Sequence, residues 1–578
     1  MSDASDPTGS GPGDASGLQL SWPGKFDAEG RRVPLQRRQP HAECLERYGV
    51  ADPEASADRS ERCDQLWIGD NLDVLDALAD ELQEGIDLVI IDPPFGTGGK
   101  FDVVTRVGEA DAEGKVRQLV RPAYDDRFPG GAAGLVAMLD PRLRFIHRML
   151  SPTGSLYLHL DATYVHPVKL LCDEIFGARC FQRQIVWRIG WLSGFKTRAR
   201  NWIRNHDVIL YYTKDPKRFT FHKQYVPHPE GYRRRDGKPP TGPGMPISDV
   251  WNADAIEAAL TGADSLDSIQ IKSLSTEKTG YATQKNESLL RRIVGTSSSP
   301  GDLVADFFCG SGTTLAVARA MGRRVLGADV GRAAIDLSRK RLVQTEGEVP
   351  VEVWSLQRWA RERDREGAGE ALRATAPAGT TVLDAVQTVT ADALATKGRT
   401  RPRVVGWHFE LAATVVAVGD DAVEVGGAGP RPPALWQGQR PLVYARTRGE
   451  PGAVLSWPRL QVRLQGLRTR ALQVTLLGLD DPDVPEELAA LRPSRLDLVD
   501  AWAVGLDDDG TACAPTLLAR DHHRRALPRG TTGPTLTGRG PWMLRIVAFD
   551  VLARRSELCI ELVAAGRGCA IASATLRG

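Results

Sequence analysis

Apolar positions in the first 350 residues alternate between two periods. Gln65-Leu66-Trp67-Ile68 is a short strand-like run ending in Gly69-Asp70-Asn71, after which Leu72, Leu75, Leu78 and Leu82 recur at helical spacing. Asp87-Leu88-Val89-Ile90-Ile91 predicts a buried strand that runs into Asp92-Pro93-Pro94-Phe95. After a polar loop, 96–130, the pattern predicts a helix over 135–149, a strand over 154–160, a helix over 165–176, and strands at 185–187 and 208–212. A helix at 287–294 leads to a strand at 303–306, a glycine turn, a helix to Met321, a strand at 324–329 and a helix at 333–342. Strands that alternate with helices predict an α/β fold with a mostly parallel, doubly wound sheet.

Outside this region the texture differs. Residues 1–60 are rich in Gly, Ser, Pro, Asp and Arg and lack periodicity, which predicts a low-complexity, disordered segment. Residues 351–400 read as a charged helical linker. From 401 to 578, short β-branched runs such as 415–418, 423–425, 472–477 and 544–549 alternate with Gly and Pro, which predicts a separate β-rich accessory domain. A length of 578 residues fits two or three domains. The domain carrying the α/β pattern then spans 61–350.

Composition narrows the classes. No apolar run is long enough to cross a bilayer, and the N-terminus has neither the basic nor the apolar part of a secretion signal. The eight cysteines include no CxxC pair, which argues against zinc and disulfides and for a reducing, cytoplasmic setting. No metal is expected, and the His522-His523 pair reads as an exposed loop. The net charge of +1 conceals a basic block: 179–238 holds fifteen Lys or Arg against four Asp or Glu. Trp187, Trp191, Phe195, Trp202, Tyr211 and Tyr212 are interleaved with it, a pattern that suits a polyanionic, base-bearing partner.

Two motifs carry chemistry. In Asp306-Phe307-Phe308-Cys309-Gly310-Ser311-Gly312-Thr313-Thr314, a strand ends in a glycine turn that opens a helix, so backbone N–H groups are free to face a ligand. Asp329 ends the next strand, where an acid can accept from ribose hydroxyls. The turn lacks the GxGxxG pattern and the lysine of a phosphate loop, which favours a nucleoside cofactor without phosphates. In Asp92-Pro93-Pro94-Phe95, two prolines stiffen a loop whose carbonyls and carboxylate are acceptors for an NH2 group, beside the flat face of Phe95.

These motifs resemble those of the β-group, circularly permuted DNA amino-methyltransferases. Asp92–Phe95 is similar to their catalytic DPPY/F loop, 306–314 to their DPFCGSGTT motif, and Tyr281-Ala282-Thr283-Gln284-Lys285-Asn286 to their YPTQKP segment. Gly69-Asp70-Asn71-Leu72 and the GTG after the catalytic loop resemble Type III restriction-modification subunits. Phe95, Gly96, Ala282 and Asn286 depart from the commonest residues of those patterns.

The resemblance implies a permuted Rossmann-like class I methyltransferase fold and S-adenosyl-L-methionine as cofactor. It gives the methionine part of that cofactor to Asp306, Phe308, Gly310 and Gly312, with Cys309 and Thr313 in the same turn. The ribose goes to Asp329, the adenine ring to Asp70 and Asn71, and closure of the pocket to Thr283, Gln284 and Lys285. Catalysis falls to Asp92, Pro93, Pro94 and Phe95, acting by direct displacement on a flipped base. There is no Pro-Cys dipeptide for attack on a cytosine ring carbon, and Cys309 reads as packing.

Target recognition is expected within 179–275, with Lys196, Arg198, Arg200, Arg204, Arg233, Arg234 and Arg235 as DNA contacts. The family tendency of Asp at the first loop position favours adenine N6, with cytosine N4 as the alternative. Double-stranded DNA is the implied partner, with nucleoid-associated localisation. A second copy of the chain, or a restriction or phage-defence subunit docking on 401–578, is left open. Protein-glutamine methyltransferases show Asn at the first loop position and the unpermuted order, and a non-catalytic DNA-binding scaffold would have no use for intact motifs.

Overall fold

A computed structural model describes residues 20–38, 40, 42–49, 63–96, 99–109, 113, 115–127, 130–188, 200–228, 230–252, 277–281, 283–345, 349–356, 410–412, 414–419, 422–426, 459–480, 488, 491, 493–507, 512–514, 517–520, 526–537, 540–551 and 555–577. The chain forms two units: 1–43, 53–103 and 122–359 make the first, and 44–52, 104–121 and 360–578 the second.

In the first unit the elements are β1 (Asp64–Ile68), α1 (Asn71–Leu78), β2 (Ile86–Ile91), α2 (Ala132–Met149), β3 (Leu150–Leu160), α3 (Val165–Phe176), β4 (Phe181–Arg188) and β5 (His206–Thr213). They continue with β6 (Val250–Trp251), α4 (Glu287–Ser297), β7 (Leu303–Asp306), α5 (Thr313–Ala320), β8 (Arg324–Asp329), α6 (Arg332–Gln344) and β9 (Val351–Leu356). Hydrogen bonding orders the sheet β9-β1-β8-β7-β2-β3-β5-β4-β6. Every pairing is parallel except the two made by β5. Both faces are covered, so the central strands read as continuous apolar runs: Leu88, Val89 and Ile91 are wholly buried, as are Leu156, Leu158 and Leu160. The α/β, doubly wound expectation is borne out.

The boundaries of the sheet differ from expectation at both ends of this unit. β9 occupies the start of the stretch read as a helical linker; its Val351, Val353 and Leu356 alternate inward, and the strand pairs along the whole of β1. The rest of the linker, 357–400, lies outside the described residues, as does 1–19. Residues 20–38 of the N-terminal segment are folded: buried Lys25 donates to Glu174 Oε2 at 2.6 Å, and Trp22 is buried in the core around α1–α3. A single lysine–glutamate pair and one tryptophan leave no period in the sequence to read.

The second unit is β-rich. One run of antiparallel strands joins Val499–Asp507 to Trp542–Asp550, then Arg555–Ala565, then Gly568–Arg577. A further five strands form a sheet through Arg459–Gln465 and Ala471–Asp480. Its core includes Trp502, Leu544 and Leu558, together with Val107 and Leu119 from 104–121. His522-His523 lies outside the described residues. Among the described residues no helix is long and apolar enough to cross a membrane.

Candidate active site

The sheet of the first unit has one switch point. β2 and β7 are parallel neighbours, in register at Leu88 with Val304 and Val89 with Ala305. From β2 the chain moves outward to β3; from β7 it moves the opposite way, to β8. A crevice therefore opens beyond the carboxyl ends of these two strands, where doubly wound sheets take their ligands. The Asp92–Phe95 loop leaves one of these strands and the 306–314 turn leaves the other, so both sequence motifs meet at this crevice.

On the β7 side the backbone makes a cradle. Gly312 caps α5 in the left-handed region at φ 70°, and a Cβ there would meet Ser338 at 2.6–2.8 Å, so only glycine fits. Asp329, at the end of β8, accepts from Gly310 N at 2.9 Å and Gly331 N at 2.7 Å. Burial raises the Asp329 carboxyl, and lifts that of buried Asp306 to about 7, with Asp92 and Asp329 adding repulsion against Thr314 and Phe308 N, which favour its ionised form. Two carboxyls that resist ionisation while alone suit a cationic ligand. Phe308 is partly exposed beside them, and Thr313 is held by Ser311 and Arg341. Cys309 is buried against Ser338 and its thiol is pushed far up by burial, which removes it as a nucleophile.

Asp70 and Asn71 start α1. Asp70 caps the helix by accepting from Leu72 N at 2.9 Å, and it pairs with Arg142 at 2.7 Å. Asn71 is buried and donates to the carbonyl of Phe307. The 277–286 segment folds over the turn: Gln284 accepts from Thr279 Oγ1 at 2.6 Å and donates to the Glu277 carbonyl at 2.5 Å, and Tyr281 lies within 3.2 Å of the Cβ position of Gly310. Lys285 reaches out of this segment to Asp92 Oδ2, and its Nζ also bonds the Thr283 carbonyl at 3.3 Å.

Asp92 is the centre of the other half. Its Oδ1 receives His159 Nδ1 at 2.7 Å and its Oδ2 the ammonium of Lys285. Burial alone would raise its carboxyl, but Lys285 and His159 outweigh burial and hold it at about 2. Buried His159, on β3, is raised against the pull of burial by Asp92 on one side and Asp207 on the other, where Nε2 stands 3.6 Å from Asp207 Oδ2. Arg204 pairs with Asp207 at 2.9 Å and with Asp161. The ring of Phe95 meets His159 edge-to-face at 5.1 Å. Pro93 is buried and Pro94 half-buried, and the loop is fastened where Gly96 N donates to buried Asp126 at 2.9 Å.

The DNA-contact candidates divide. Arg200, Arg233, Arg234 and Arg235 are exposed; Lys196 and Arg198 lie outside the described residues; Arg204 is engaged with the two aspartates. Of the aromatics in the basic block, Trp187, Tyr211 and Tyr212 are buried in the sheet, so their presence reflects the core, whereas Trp202 is 98% exposed. Trp191 and Phe195 lie outside the described residues. His159, Asp161, Asp207, Arg142 and Asp126 were not singled out from the sequence. The available signal was a histidine inside the apolar run 156–160, since a buried polar group requires partners.

The profile of the N6/N4 methyltransferase family, described as DNA methylase, matches residues 86–340. The chain carries an N6/N4 DNA methylase domain. Relatives include the Type II methyltransferase M.HpaI of Haemophilus parainfluenzae, 25% identical over 48% of this chain and 74% of its own. The DNA adenine methyltransferase YhdJ of Escherichia coli (strain K12) is 28% identical over 45% of this chain and 76% of its own. The Type II methyltransferase M.HinfI of Haemophilus influenzae is 48% identical over 47% of this chain and 66% of its own. Among solved structures, the M1.HpyAVI–SAM complex is similar over 48% of this chain and 98% of its own, at 16% identity and a TM-score of 0.30. The methylase domain contains both halves of the crevice, and the second unit lies outside the matched residues apart from 104–121.

Proposed function

We propose that the methylase domain transfers a methyl group from S-adenosylmethionine to N6 of adenine in duplex DNA, with Asp92 as the residue that engages the target amine. The observation that carries this reading is the ionised Asp92, held by Lys285 and His159 on a proline-stiffened loop at the switch point, opposite the glycine cradle of 306–314. The cofactor supplies an electrophilic methyl on a sulfonium. Asp306 and Asp329 suit its positive charge, with Phe308, Gly310 and Gly312 beside its methionine part and Asp329 within reach of its ribose.

Asp92 accepts a hydrogen bond from the target NH2 and stabilises the positive charge that grows on nitrogen as the methyl arrives. The Pro93 carbonyl is the second acceptor, and Phe95 offers a stacking face for the flipped base. Orienting amine and methyl in line is most of the catalytic task. Gln284 and Thr283 close the pocket by shaping the 277–286 segment. The aspartate at the first loop position supports adenine over cytosine.

Recognition is assigned to 179–275, where Trp202 and the exposed arginines lie, and 401–578 is assigned an interaction role, with a restriction or defence subunit or a second copy as partner. The test is methylation of DNA from a methylation-free host, followed by nucleoside digestion and mass spectrometry. N6-methyladenine is the expected product; N4-methylcytosine alone would overturn the base assignment, and no methylated base the whole reading.

A further inference from the structure

His159 is a buried histidine with carboxylates on two sides. Its Nδ1 lies 2.7 Å from Asp92 Oδ1, and Nε2, which has no hydrogen-bond partner among the described residues, faces Asp207 Oδ2 at 3.6 Å. The groups that face it are Asp92 at the end of β2, Asp207 on β5 and Lys285 from the 277–286 segment, with the rings of Phe95 and Trp187 packed at 5.1 and 5.6 Å. Asp92 is ionised, so Nδ1 must be the donor in the short contact. Asp207 is also held below the usual carboxylate range, despite burial, by His159 and Arg204. A lone pair on Nε2 would be repelled by that carboxylate, whereas an N–H is attracted to it. Nδ1 therefore carries a proton, the Asp207 carboxylate favours a second one on Nε2, and the two carboxylates raise the imidazole against burial and the nearby Lys285 ammonium.

We propose that His159 is a positioning residue for methyl transfer: as an imidazolium pinned by Asp207, it fixes the Asp92 carboxylate in one rotamer and leaves its free lone pairs aimed at the target amine. This rests on the reading of Asp92 as the residue that engages that amine. Lys285 alone cannot do the same. It holds Oδ2 through a flexible four-carbon chain, so the carboxylate could still turn about it. The imidazole sits on a central strand, locked by Phe95 and Trp187, and defines the plane through Oδ1. Arg204 and Asp161 complete the chain of alternating charges, Lys285–Asp92–His159–Asp207–Arg204–Asp161, so that Asp207 is itself held from the far side.

The imidazolium form is the working one. Transfer is then expected to be supported below the His159 pKa and to fall as pH rises through it. The experiment compares single-turnover methyl transfer to unmethylated genomic DNA across pH for the full-length protein and its His159→Ala, His159→Asn, Asp207→Asn and Asp92→Asn variants, with cofactor affinity measured by calorimetry. His159→Ala is expected to lose about tenfold or more in rate, the scale of one hydrogen bond to a charged group, with cofactor affinity kept. His159→Asn places an amide N–H near the Nδ1 position but carries no charge; it is expected to recover part of the rate and to lose the alkaline fall. Asp207→Asn is expected to move that fall to lower pH.

A wild-type rate in both His159 variants, or an alkaline limb unmoved by Asp207→Asn and His159→Asn, overturns the proposal while an inactive Asp92→Asn keeps the underlying reading. An active Asp92→Asn overturns both. If His159→Ala fails to fold, the His159→Asn and Asp207→Asn profiles carry the decision.

Discussion

The side-chain amide of Asn71 donates to the main-chain carbonyl of Phe307 at 2.6 Å, which ties the start of α1 to the turn after β7. Its Oδ1 accepts from Arg142 Nε at 2.5 Å, so both ends of the amide are engaged inside the protein. The family resemblance gives this residue to the adenine ring of the cofactor; the structure gives it work as a brace behind the cradle. Asn71→Ala is expected to lower stability by about 1–3 kcal/mol, because it takes the amide donor from the Phe307 carbonyl and one acceptor from Arg142, which keeps Asp70 and the Met138 carbonyl. Cofactor affinity should fall with it. Differential scanning fluorimetry and calorimetry check both. An unchanged melting temperature with lost affinity would return Asn71 to direct contact with the ligand.

Phe95 meets His159 edge-on and lies under the Lys285 ammonium, 5.7 Å from its ring. Under the proposed function, one face of the ring stacks on the flipped base. Phe95→Ala is expected to lower kcat/KM by about 5- to 150-fold, corresponding to the ~1–3 kcal/mol of a base–aromatic stack, with cofactor binding unaffected. Phe95→Tyr should be tolerated. Full activity of the alanine variant would mean that the ring serves packing alone.

The catalytic and cofactor motifs were legible because each is local: a strand, a stiff or glycine-rich turn, and an acid at a fixed distance along the chain. The mostly parallel, doubly wound sheet followed from the same alternation. What escaped was assembled across the chain. His159 looked like one more residue of a buried strand; its meaning comes from Asp92, 67 residues earlier, and Asp207, on an antiparallel strand. Lys285 read as a pocket residue because its segment does, yet its ammonium goes to Asp92. Trp187, Tyr211 and Tyr212 lay in a basic block and suggested base stacking, although β4 and β5 use them as core. Aromatic content in a strand does not report which face it lies on.

Cofactor affinity should depend on pH through Asp306. Burial lifts its carboxyl to about 7 in the free protein, and a cationic ligand favours the ionised form. Binding is therefore expected to tighten as pH rises from about 6 to 8 and to release protons below neutrality. Stability from this group runs the other way. The folded state holds the proton more tightly than the unfolded chain, so the contribution is present at low pH and is lost as pH rises through about 7. Calorimetry in buffers of different ionisation enthalpy measures the proton count; Asp306→Asn should abolish it. An unchanged pH dependence in that variant would place the titration elsewhere.

Trp202 is 98% exposed and lies between Arg200 and Arg204 in the loop that leads into β5. A nucleobase has a flat face that stacks on such a ring, and a basic surround suits the phosphates on either side of it. Trp202→Ala should weaken DNA binding with little change in its salt dependence, since no charge is lost. Replacing Arg233, Arg234 and Arg235 by Ala should do the reverse and flatten the log–log slope by about 0.9 for each phosphate contact removed. Fluorescence anisotropy at several salt concentrations separates the two. Equal slopes for the arginine variant and the wild type would remove the triplet from the phosphate contacts.

Where the methylase domain can be cut free is decided by Val107 and Leu119. Both are buried, and both belong to the core of the second unit together with Leu460, Val462, Trp502 and Leu544. Around them, Arg117 pairs with Asp497 at 2.7 Å and donates to the Leu491 carbonyl at 3.0 Å, and Arg529 faces Glu109 at 3.6 Å. Ending the chain after Leu356 keeps every strand of the parallel sheet and every cofactor motif, but it removes the partners of 104–121. Two buried aliphatic side chains are each worth up to about 1.5–3 kcal/mol of burial, and their exposure adds an apolar patch to the surface. The simple truncation is therefore expected to associate or aggregate, as read by size-exclusion chromatography. The same truncation with 104–121 replaced by a short turn should be soluble and bind S-adenosylmethionine by calorimetry. A monomeric, stable truncation with 104–121 intact would show that Val107 and Leu119 do not need that core.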